Sequence, residues 1–291
     1  MSDCKFAELS DRAIIKITGS DSEIFLKGLI TNDVGSLSND SAGGAPPTCF
    51  AGLLTPQGKI LFDFFVVYAN GVHYLESRAD NADELIKRLT FYKLRADVEI
   101  VKLDDTHCAA VIWNGNEKIF RDGICYADPR LEALGMRCIR ELGTPPPEGC
   151  ILADDADYHA HRISHTVPEG GQDYPLGDSF PHEACYDLLH GIDFRKGCFV
   201  GQEVVSRMQH RGTARKRIIA VSASTKLPPI GTEILADDKP IGILGSSSNT
   251  NAIALIRLDR AARALENNYD MTAAGIPVRL KKPSWADYDI T

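Results

Sequence analysis

The run RAIIKITGSDSEIFLKGLITNDV at residues 12–34 sets the structural pattern for the first third of the chain. Its first seven residues are rich in β-branched side chains and end at Gly19, which predicts a strand. Ser20 and Glu23 then have the spacing of a capping box, and the apolar residues after them predict a helix over about residues 21–33. The first predicted elements are therefore a strand and a helix.

Working outward from this run, the chain up to about residue 103 continues to alternate strands and helices. Asn70-Gly71 separates two apolar runs, which is a strong signal for a tight hairpin. The order β-α-β-β-β-α-β predicts an antiparallel sheet with helices on one face, of ferredoxin-like type. The predicted elements after the first helix are strands at 48–54, 60–69 and 72–76, a helix from Asp80 or Asn81, and a strand at 98–103.

The rest of the chain predicts a second α+β unit and a β-rich C-terminal unit. Three prolines at 145–147 form a stiff spacer, and residues 154–163 and 181–191 predict two helices. Beyond Arg217, short β-rich runs separated by Pro, Gly, Asn and Asp are typical of a small β-barrel. The predicted fold class is α+β, with domains at residues 1–108, 109–211 and 212–291, and the prediction allows the first two to interleave in sequence.

Composition excludes several classes of protein. The chain has 291 residues, with 32 Lys and Arg against 40 Asp and Glu, so its formal net charge is −8. A protein that coats nucleic acid nonspecifically needs an excess of basic residues to neutralise phosphates. The sequence shows no secretory signal and no apolar run of the ~18 residues that a membrane span needs. We therefore expect a soluble, cytoplasmic protein that does not bind membranes.

Eight cysteines are spread over a chain long enough to form its own core, so reduced thiols are expected rather than disulfides. No C-x-x-C pair occurs, which disfavours a zinc or iron–sulfur site built by one local motif.

Residues 194–217 are the part of the sequence that most strongly indicates a chemical function. Cys198 follows Arg195 and Lys196, and cationic neighbours favour a thiolate over a thiol. Cys198 is therefore either a reactive or metal-binding thiol, or a small buried core residue. The other seven cysteines lie mostly in apolar runs and are expected to be inert.

Two further features leave alternatives open. The basic residues within 207–217 suit a polyglutamate, a phosphate or RNA, or else they form a solvated edge strand or linking turn. Asp63 interrupts an apolar strand, and a buried carboxylate is unfavourable unless it is paired or faces a cleft. No Walker A, Rossmann or G-x-S-x-G motif is present, so nucleotide hydrolysis, dinucleotide redox chemistry and serine hydrolysis lack support.

The segment KGCFVGQE at 196–203 resembles the K-G-C-[YF]-x-G-Q-E signature of the YgfZ family, whose members resemble the T-protein, the aminomethyltransferase of the glycine cleavage system. Residues 17–34, 55–66 and 204–217 resemble other conserved segments of that family. The resemblance implies two ferredoxin-like units and a C-terminal β-barrel around a central hole that binds tetrahydrofolate.

The resemblance also implies the site residues. Cys198 and Lys196 are the implied catalytic residues, and Cys198 is an implied ligand of a transient iron–sulfur cluster shared with another chain or with glutathione. Two positions depart from the related proteins, since Ser164 replaces a glutamate that holds the pterin and Arg12 replaces a tryptophan. The implied tetrahydrofolate-binding residues are Asn32, Asp63, Tyr158, Arg162, Gln202, Glu203 and Arg207.

The resemblance implies a folate-binding factor for iron–sulfur cluster assembly or repair. Its partners would be iron–sulfur assembly proteins and client enzymes, including those that modify tRNA. The first alternative is a tetrahydrofolate-dependent aminomethyltransferase-like enzyme with Asp63 as base. The second is a tRNA-binding or tRNA-modifying protein that uses the basic residues of 207–217.

Overall fold

The computed structural model describes residues 4–38, 45–115, 122–212 and 214–290. None of the helices in these residues is long and apolar enough to cross a lipid bilayer. The helices are α1 (Ser22–Leu29), α2 (Ala82–Lys93), α3 (Asp155–Ser164), α4 (Gln202–Arg211) and α5 (Leu258–Glu266). The strands are β1 (Lys5–Leu9), β2 (Arg12–Thr18), β3 (Thr48–Leu54), β4 (Ile60–Ala69), β5 (Val72–Arg78), β6 (Glu99–Lys102), β7 (His107–Trp113), β8 (Ile124–Ala127), β9 (Met136–Glu141), β10 (Ile151–Leu152), β11 (Lys216–Ala223), β12 (Glu233–Ala236), β13 (Lys239–Ser248), β14 (Asn251–Arg257), β15 (Met271–Ala273) and β16 (Ile276–Lys281).

Sheet 1 has the strand order β3-β4-β5-β2-β6, and it confirms the predicted β-α-β-β-β-α-β sequence of elements. Asn70 and Gly71 both have positive φ, 53° and 78°, as a two-residue hairpin turn of type I′ requires. Leu26 of α1 and Leu85 of α2 share one buried core with Val66 of the sheet. The apolar faces of both helices therefore pack on this sheet.

The predicted capping box at the start of α1 is wrong. Asp21 is the N-cap residue, and its side chain makes no cap hydrogen bond. The Ser20 hydroxyl instead donates to Asp97 Oδ2 at 2.9 Å, and the Ser20 amide donates to the same oxygen. A carboxylate 77 residues away thus binds the serine that the local pattern pairs with Glu23. The helix also ends earlier than predicted, because Ile30 is already extended.

Sheet 2 has the order β10-β1-β7-β9-β8. Its strand β1 comes from the start of the chain, pairs antiparallel with β7 and pairs parallel with β10. The predicted segments 1–108 and 109–211 therefore interleave in one sheet. The chain divides into two compact units. Unit 1 comprises residues 1–56, 61–158 and 190–202, and unit 2 comprises residues 57–60, 159–189 and 203–291.

The expectation that all cysteines are reduced is wrong for four of the eight. Disulfides join Cys4 to Cys150 and Cys125 to Cys138. The first pair meets because β1 and β10 are neighbours in sheet 2, although its members are 146 residues apart. The second pair lies directly opposite across β8 and β9, where Cα atoms of an antiparallel pair come close enough for a bridge.

Unit 2 contains the predicted β-barrel, a closed barrel in the order β11-β14-β13-β12-β15-β16. Its core includes Ile219, Ile234 and Ile256. The predicted helix at 154–163 is confirmed within a residue at each end by α3. The predicted helix at 181–191 is wrong: Cys185 and His190 have positive φ, which interrupts a right-handed helix, and the segment forms consecutive turns.

Buried ion pairs join the two sheets of unit 1. Glu76 on β5 is fully buried, and its carboxylate accepts hydrogen bonds from Arg12 Nε at 3.0 Å and Arg137 Nε at 3.1 Å. Tyr126 on β8 donates its hydroxyl to the same carboxylate. Burial alone would raise the pKa of Glu76, but the charges of Arg137 and Arg12 outweigh it and lower that pKa to about 2.

The same network surrounds one aromatic ring. The guanidinium carbons of Arg137, Arg130 and Arg12 lie 4.4, 4.7 and 5.7 Å from the centroid of Phe65. Arg130 pairs with buried Asp128 through two hydrogen bonds, of 2.7 and 3.0 Å. Paired carboxylates and an aromatic face compensate for the desolvation of three buried arginines.

Candidate functional site

The candidate site is the loop at residues 194–199, which carries Cys198. Cys198 and Arg195 are exposed, whereas Lys196 and Phe199 are each only 8% exposed. The Lys196 ammonium lies 5.2 Å from the centroid of the Phe199 ring. Two buried side chains therefore anchor the loop on either side of an exposed thiol.

Lys196 attaches this loop to the end of α1. Its Nζ donates to the backbone carbonyls of Lys27 at 2.8 Å, Ile30 at 2.6 Å and Asn32 at 2.9 Å. A cation is favourable at the C-terminal end of a helix, where carbonyls lack partners within the helix. Burial lowers the pKa of Lys196 to about 8, and the Asp33 carboxylate opposes this shift. The amine is a positioning group for the loop, and its catalytic role stays a prediction.

A second set of hydrogen bonds holds the approach to the loop. Thr31 Oγ1 donates to the Gly191 carbonyl at 2.6 Å, and Asn32 Nδ2 donates to the His190 carbonyl at 2.7 Å. The Asp193 amide donates to the Thr31 carbonyl at 3.1 Å. The structure thus brings Asn32 together with Lys196, and the Asn32 amide group serves to hold the chain that leads to Cys198.

A cavity of about 320 Å³ lies beside this attachment. Its walls include Asn32, Asp33, Cys49, Asp193 and Arg195, so charges of both signs face it. Sequence reasoning missed Asp33, Cys49 and Asp193. The polar Thr-Asn-Asp triplet directly after an amphipathic helix was the available signal, because three polar side chains there need partners elsewhere in the fold.

Exposure distinguishes Cys198 from the other free cysteines of the described chain. Burial raises the pKa of Cys49 to about 12 and that of Cys185 to about 11. Burial, followed by the Glu8 charge, also raises the pKa of half-buried Cys108. These three thiols stay protonated at neutral pH, and a protonated thiol is a poor nucleophile and a poor metal ligand.

Two of the residues that the resemblance assigns to folate, Asp63 and Tyr158, are buried in unit 1. Asp63 on β4 is 3% exposed, which confirms a carboxylate on a largely buried strand. The Tyr158 hydroxyl accepts a hydrogen bond from Arg137 Nη1 at 3.0 Å, and its ring packs edge-on against Trp113. The ring and hydroxyl of Tyr158 are thus already in contact with protein, and their role toward folate stays a prediction.

Arg162 lies in unit 2 and is paired there. Its Nη1 donates to Asp173 Oδ2 and to the Val167 carbonyl, both at 2.7 Å, and its Nη2 donates to Ser246. Ser164 is exposed and donates to the His161 carbonyl at the end of α3. A folate carboxylate at Arg162 would have to compete with the buried Asp173 carboxylate.

The remaining predicted residues lie on α4, and for its basic residues the sequence left open a ligand-binding stripe or a solvated edge strand or linking turn. Gln202 begins this helix, and exposed Glu203 and Arg207 pair with each other at 2.7 Å, one turn apart. Arg217 is not part of a free basic stripe, because both of its terminal nitrogens bind the Asp187 carboxylate. The predicted basic surface is therefore smaller than the sequence indicates.

We expect Lys196→Met to lower the free energy of unfolding by about 2 kcal/mol, because hydrogen bonds from a charged donor contribute roughly 1.5–3 kcal/mol. Methionine keeps the apolar stem but leaves three carbonyls without their donor. Urea denaturation of the full chain measures the change. Lys27→Met is the matched control: the Lys27 side chain is 44% exposed and pairs with Asp33 at 3.4 Å. Such exposed pairs contribute about 0–1 kcal/mol, and equal losses in the two variants would contradict the anchoring role of Lys196.

The fold defines the class of protein. The structure superposes on the glycine cleavage system aminomethyltransferase T from Bartonella henselae with a TM-score of 0.74, over 98% of this chain and 87% of that one. The sequences are 12% identical, so the likeness shows the fold alone. The chain therefore has the α+β aminomethyltransferase fold with a C-terminal closed six-stranded barrel, as predicted.

Sequence comparison gives the family. Residues 215–288 match the model described as CAF17, C-terminal beta-barrel domain. The human protein named "Iron-sulfur cluster assembly factor IBA57, mitochondrial" is 30% identical over an alignment that covers 92% of this chain and 83% of the human protein. Its Mus musculus counterpart is 32% identical, over 77% of this chain and 67% of that protein. The chain belongs to the IBA57 family of iron–sulfur cluster assembly factors.

The coverage of fungal relatives is lower. The IBA57 homologue of Mycosarcoma maydis is 31% identical over 75% of this chain, and the match spans 57% of the fungal protein.

These comparisons correct two predictions. The family is IBA57, and YgfZ, which the signature at 196–203 resembles, is a related family of the same fold. The predicted cytoplasmic location is wrong, because the human, mouse and fungal relatives are all named mitochondrial. Net charge does not distinguish these two compartments.

Proposed function

We propose that this protein passes iron–sulfur clusters to client enzymes, with Cys198 as a transient ligand of the cluster. The cluster is cargo, shared with the thiolates of an assembly partner or of glutathione. Ligand exchange needs no redox change: the Cys198 thiolate replaces one thiolate on iron, and the displaced thiolate takes up a proton. Clients that modify tRNA belong to the same proposal.

One observation carries this proposal: Cys198 is an exposed thiol on an anchored loop. A shared ligand must reach the iron of a cluster held by another molecule, so it has to be at the surface. One cysteine cannot satisfy the four thiolate positions that a cluster usually requires, which is why the partner must supply the others. The anchors at Lys196 and Phe199 are buried, while Cys198 between them is exposed.

The test is anaerobic cluster loading of the full chain, with a glutathione-bound [2Fe–2S] cluster as donor. We expect wild-type protein to acquire visible absorbance and the mass of the cluster with its glutathione ligands in native mass spectrometry. Cys198→Ser is expected to lose both signals, because a hydroxyl is a far weaker ligand for iron than a thiolate.

Cys108→Ser is the matched control, since Cys108 is the free cysteine of intermediate exposure in the described chain. This variant should load like wild type. Equal loading of Cys198→Ser and wild type would refute the assignment of Cys198.

Tetrahydrofolate binding is the second part of the proposal, and it is supported by the resemblance at residues 17–34 and 196–203. The residue types that folate needs are present: an aromatic ring at Tyr158, a cation at Arg162 and a buried carboxylate at Asp63. In the structure, Arg162 and Tyr158 already have protein partners, so binding through them requires these contacts to be exchanged.

Calorimetric titration of the full chain with tetrahydrofolate is expected to give saturable heat. The control ligand is p-aminobenzoylglutamate, which retains the carboxylates but lacks the pterin, and we expect it to bind more weakly. No heat at millimolar tetrahydrofolate would mean that this chain does not use folate.

A tetrahydrofolate-dependent one-carbon transferase is the second candidate function. Its supporting observation is the shared aminomethyltransferase fold, together with the buried position of Asp63, the proposed base. The exposed thiol has no part in that chemistry, which is why the assembly function ranks first.

A further inference from the structure

A cavity of about 250 Å³ lies in unit 2, between the C-terminal end of α3 and the barrel strands β11, β14 and β16. Its walls include Thr166, Ser222, Asn251 and the lysines at 281 and 282, residues whose side chains carry hydrogen-bond donors. None of the described residues that line it carries a carboxylate. The lining is therefore rich in hydrogen-bond donors and positive charge, and the iron–sulfur proposal uses none of these residues.

The two lysines differ in how their charge is balanced. Lys282 lies 3.6 Å from Asp289, which compensates part of its charge. Lys281, at the end of β16, is exposed and makes no ion pair with any residue that the structure describes. One positive charge at the cavity is thus left without a protein counter-ion.

Thr166 is in a strained conformation at the same cavity. Its amide donates to the Ile163 carbonyl at 2.9 Å, and the Val167 amide donates to the Arg162 carbonyl at 3.3 Å. These bonds form a Schellman motif, in which the residue at the Thr166 position adopts positive φ and is usually glycine. Thr166 has φ 58°, which is unfavourable for a β-branched residue.

The fold does not explain why threonine occupies this position. Thr166 is 4% exposed and lines the cavity. Glycine would close the same helix end without strain, so threonine adds a hydroxyl-bearing side chain at a wall of the cavity. Strained residues of this kind cluster at ligand sites.

We propose that this cavity binds a small organic oxyanion, a phosphate ester or a polycarboxylate, through the Lys281 ammonium and the Thr166 hydroxyl. Both groups donate hydrogen bonds, and bonds to a charged acceptor are about twice as strong as neutral ones. The volume is close to the lower end of small-molecule sites, which suits a metabolite of a few heavy atoms beyond the oxyanion itself.

The test is calorimetry of the full chain with inorganic phosphate and, separately, with citrate, at constant ionic strength in chloride. Binding of phosphate alone identifies a phosphate ester, and binding of citrate alone identifies a polycarboxylate. Lys281→Gln should weaken binding about tenfold, which is the loss of roughly one charge-assisted hydrogen bond. Lys226→Gln, at an exposed lysine that does not line the cavity, should bind like wild type.

Substitutions at Thr166 give the more specific test of the proposal. Thr166→Gly should also weaken binding about tenfold, while relief of strain raises its melting temperature by about 2 °C. Thr166→Ser keeps the hydroxyl and should retain the affinity. The proposal is overturned if neither anion binds at millimolar concentration, or if Lys281→Gln and Thr166→Gly bind like wild type.

Discussion

Glu76→Gln is expected to lower the free energy of unfolding by about 3–5 kcal/mol, because removing one member of a buried ion pair leaves its partner charged and desolvated. Glutamine has nearly the same shape, so the loss reports charge rather than volume. Arg12 and Arg137 both pair with this carboxylate and are at most 9% exposed, so two buried guanidinium groups lose one negatively charged partner, while Arg137 keeps Asp128 at 3.6 Å. Urea denaturation at neutral pH measures the loss.

The pH dependence gives an independent check. The pKa of Glu76 is about 2 in the folded chain against 4.5 for an ordinary glutamate, so folding favours the charged form. Its contribution to stability is fully present above pH 4.5 and is lost as the pH falls toward 2. The difference in the free energy of unfolding between wild type and Glu76→Gln should therefore be constant well above pH 4.5 and should shrink below it.

Glu84→Gln is the matched control for this experiment. Glu84 is exposed on α2 and lies 3.8 Å from Lys87, so the change should be within about 0.5 kcal/mol. A loss in Glu76→Gln no larger than that in Glu84→Gln would show that the buried network contributes nothing to stability.

Cys198→Ala is expected to abolish the function of the protein in cells while leaving the fold intact. The assay is the activity of an iron–sulfur enzyme in cells depleted of this protein and complemented by each variant. The thiol is exposed, so its removal should change the melting temperature by no more than about 2 °C. Enzyme activity should remain at the level of uncomplemented cells.

Asp63→Asn provides the comparison that separates the two candidate functions. We expect it to restore more activity than Cys198→Ala does, because Asp63 is the base only in one-carbon transfer. Melting curves identify any variant that fails by unfolding, which matters because Asp63 is nearly buried. If Asp63→Asn is folded but inactive and Cys198→Ala is fully active, the assembly function is wrong and the transferase function takes its place.

The sequence predicted the parts of the fold in which local signals agree with one another. The hairpin at Asn70 and Gly71 has both turn chemistry and flanking apolar strands, and it forms as predicted. The barrel beyond Arg217 was predicted from the spacing of short β-rich runs. The KGCFVGQE motif directed attention to Cys198, and the structure shows that this thiol is exposed.

The errors occur where distant residues decide the outcome. Asp97 binds Ser20 and displaces the predicted capping box. Cys4 and Cys150 meet only because β1 joins a sheet with strands from far along the chain. The local sequence predicts that the charge of Lys196 acts on the neighbouring thiol, but its three hydrogen bonds go to carbonyls more than 160 residues earlier. No local pattern in a single sequence contains these pairings.

The anchored loop at 194–199 has a kinetic consequence. A partner that meets Cys198 finds the loop already ordered, so association involves little loss of loop entropy. The association rate should then depend on how the two preformed surfaces orient when they meet. Because Arg195 is exposed and charged, that rate should also depend on salt concentration. Without the Lys196 anchor, the loop would have to become ordered each time a partner binds. Slower association, and not a less reactive thiol, would then limit the rate of cluster transfer.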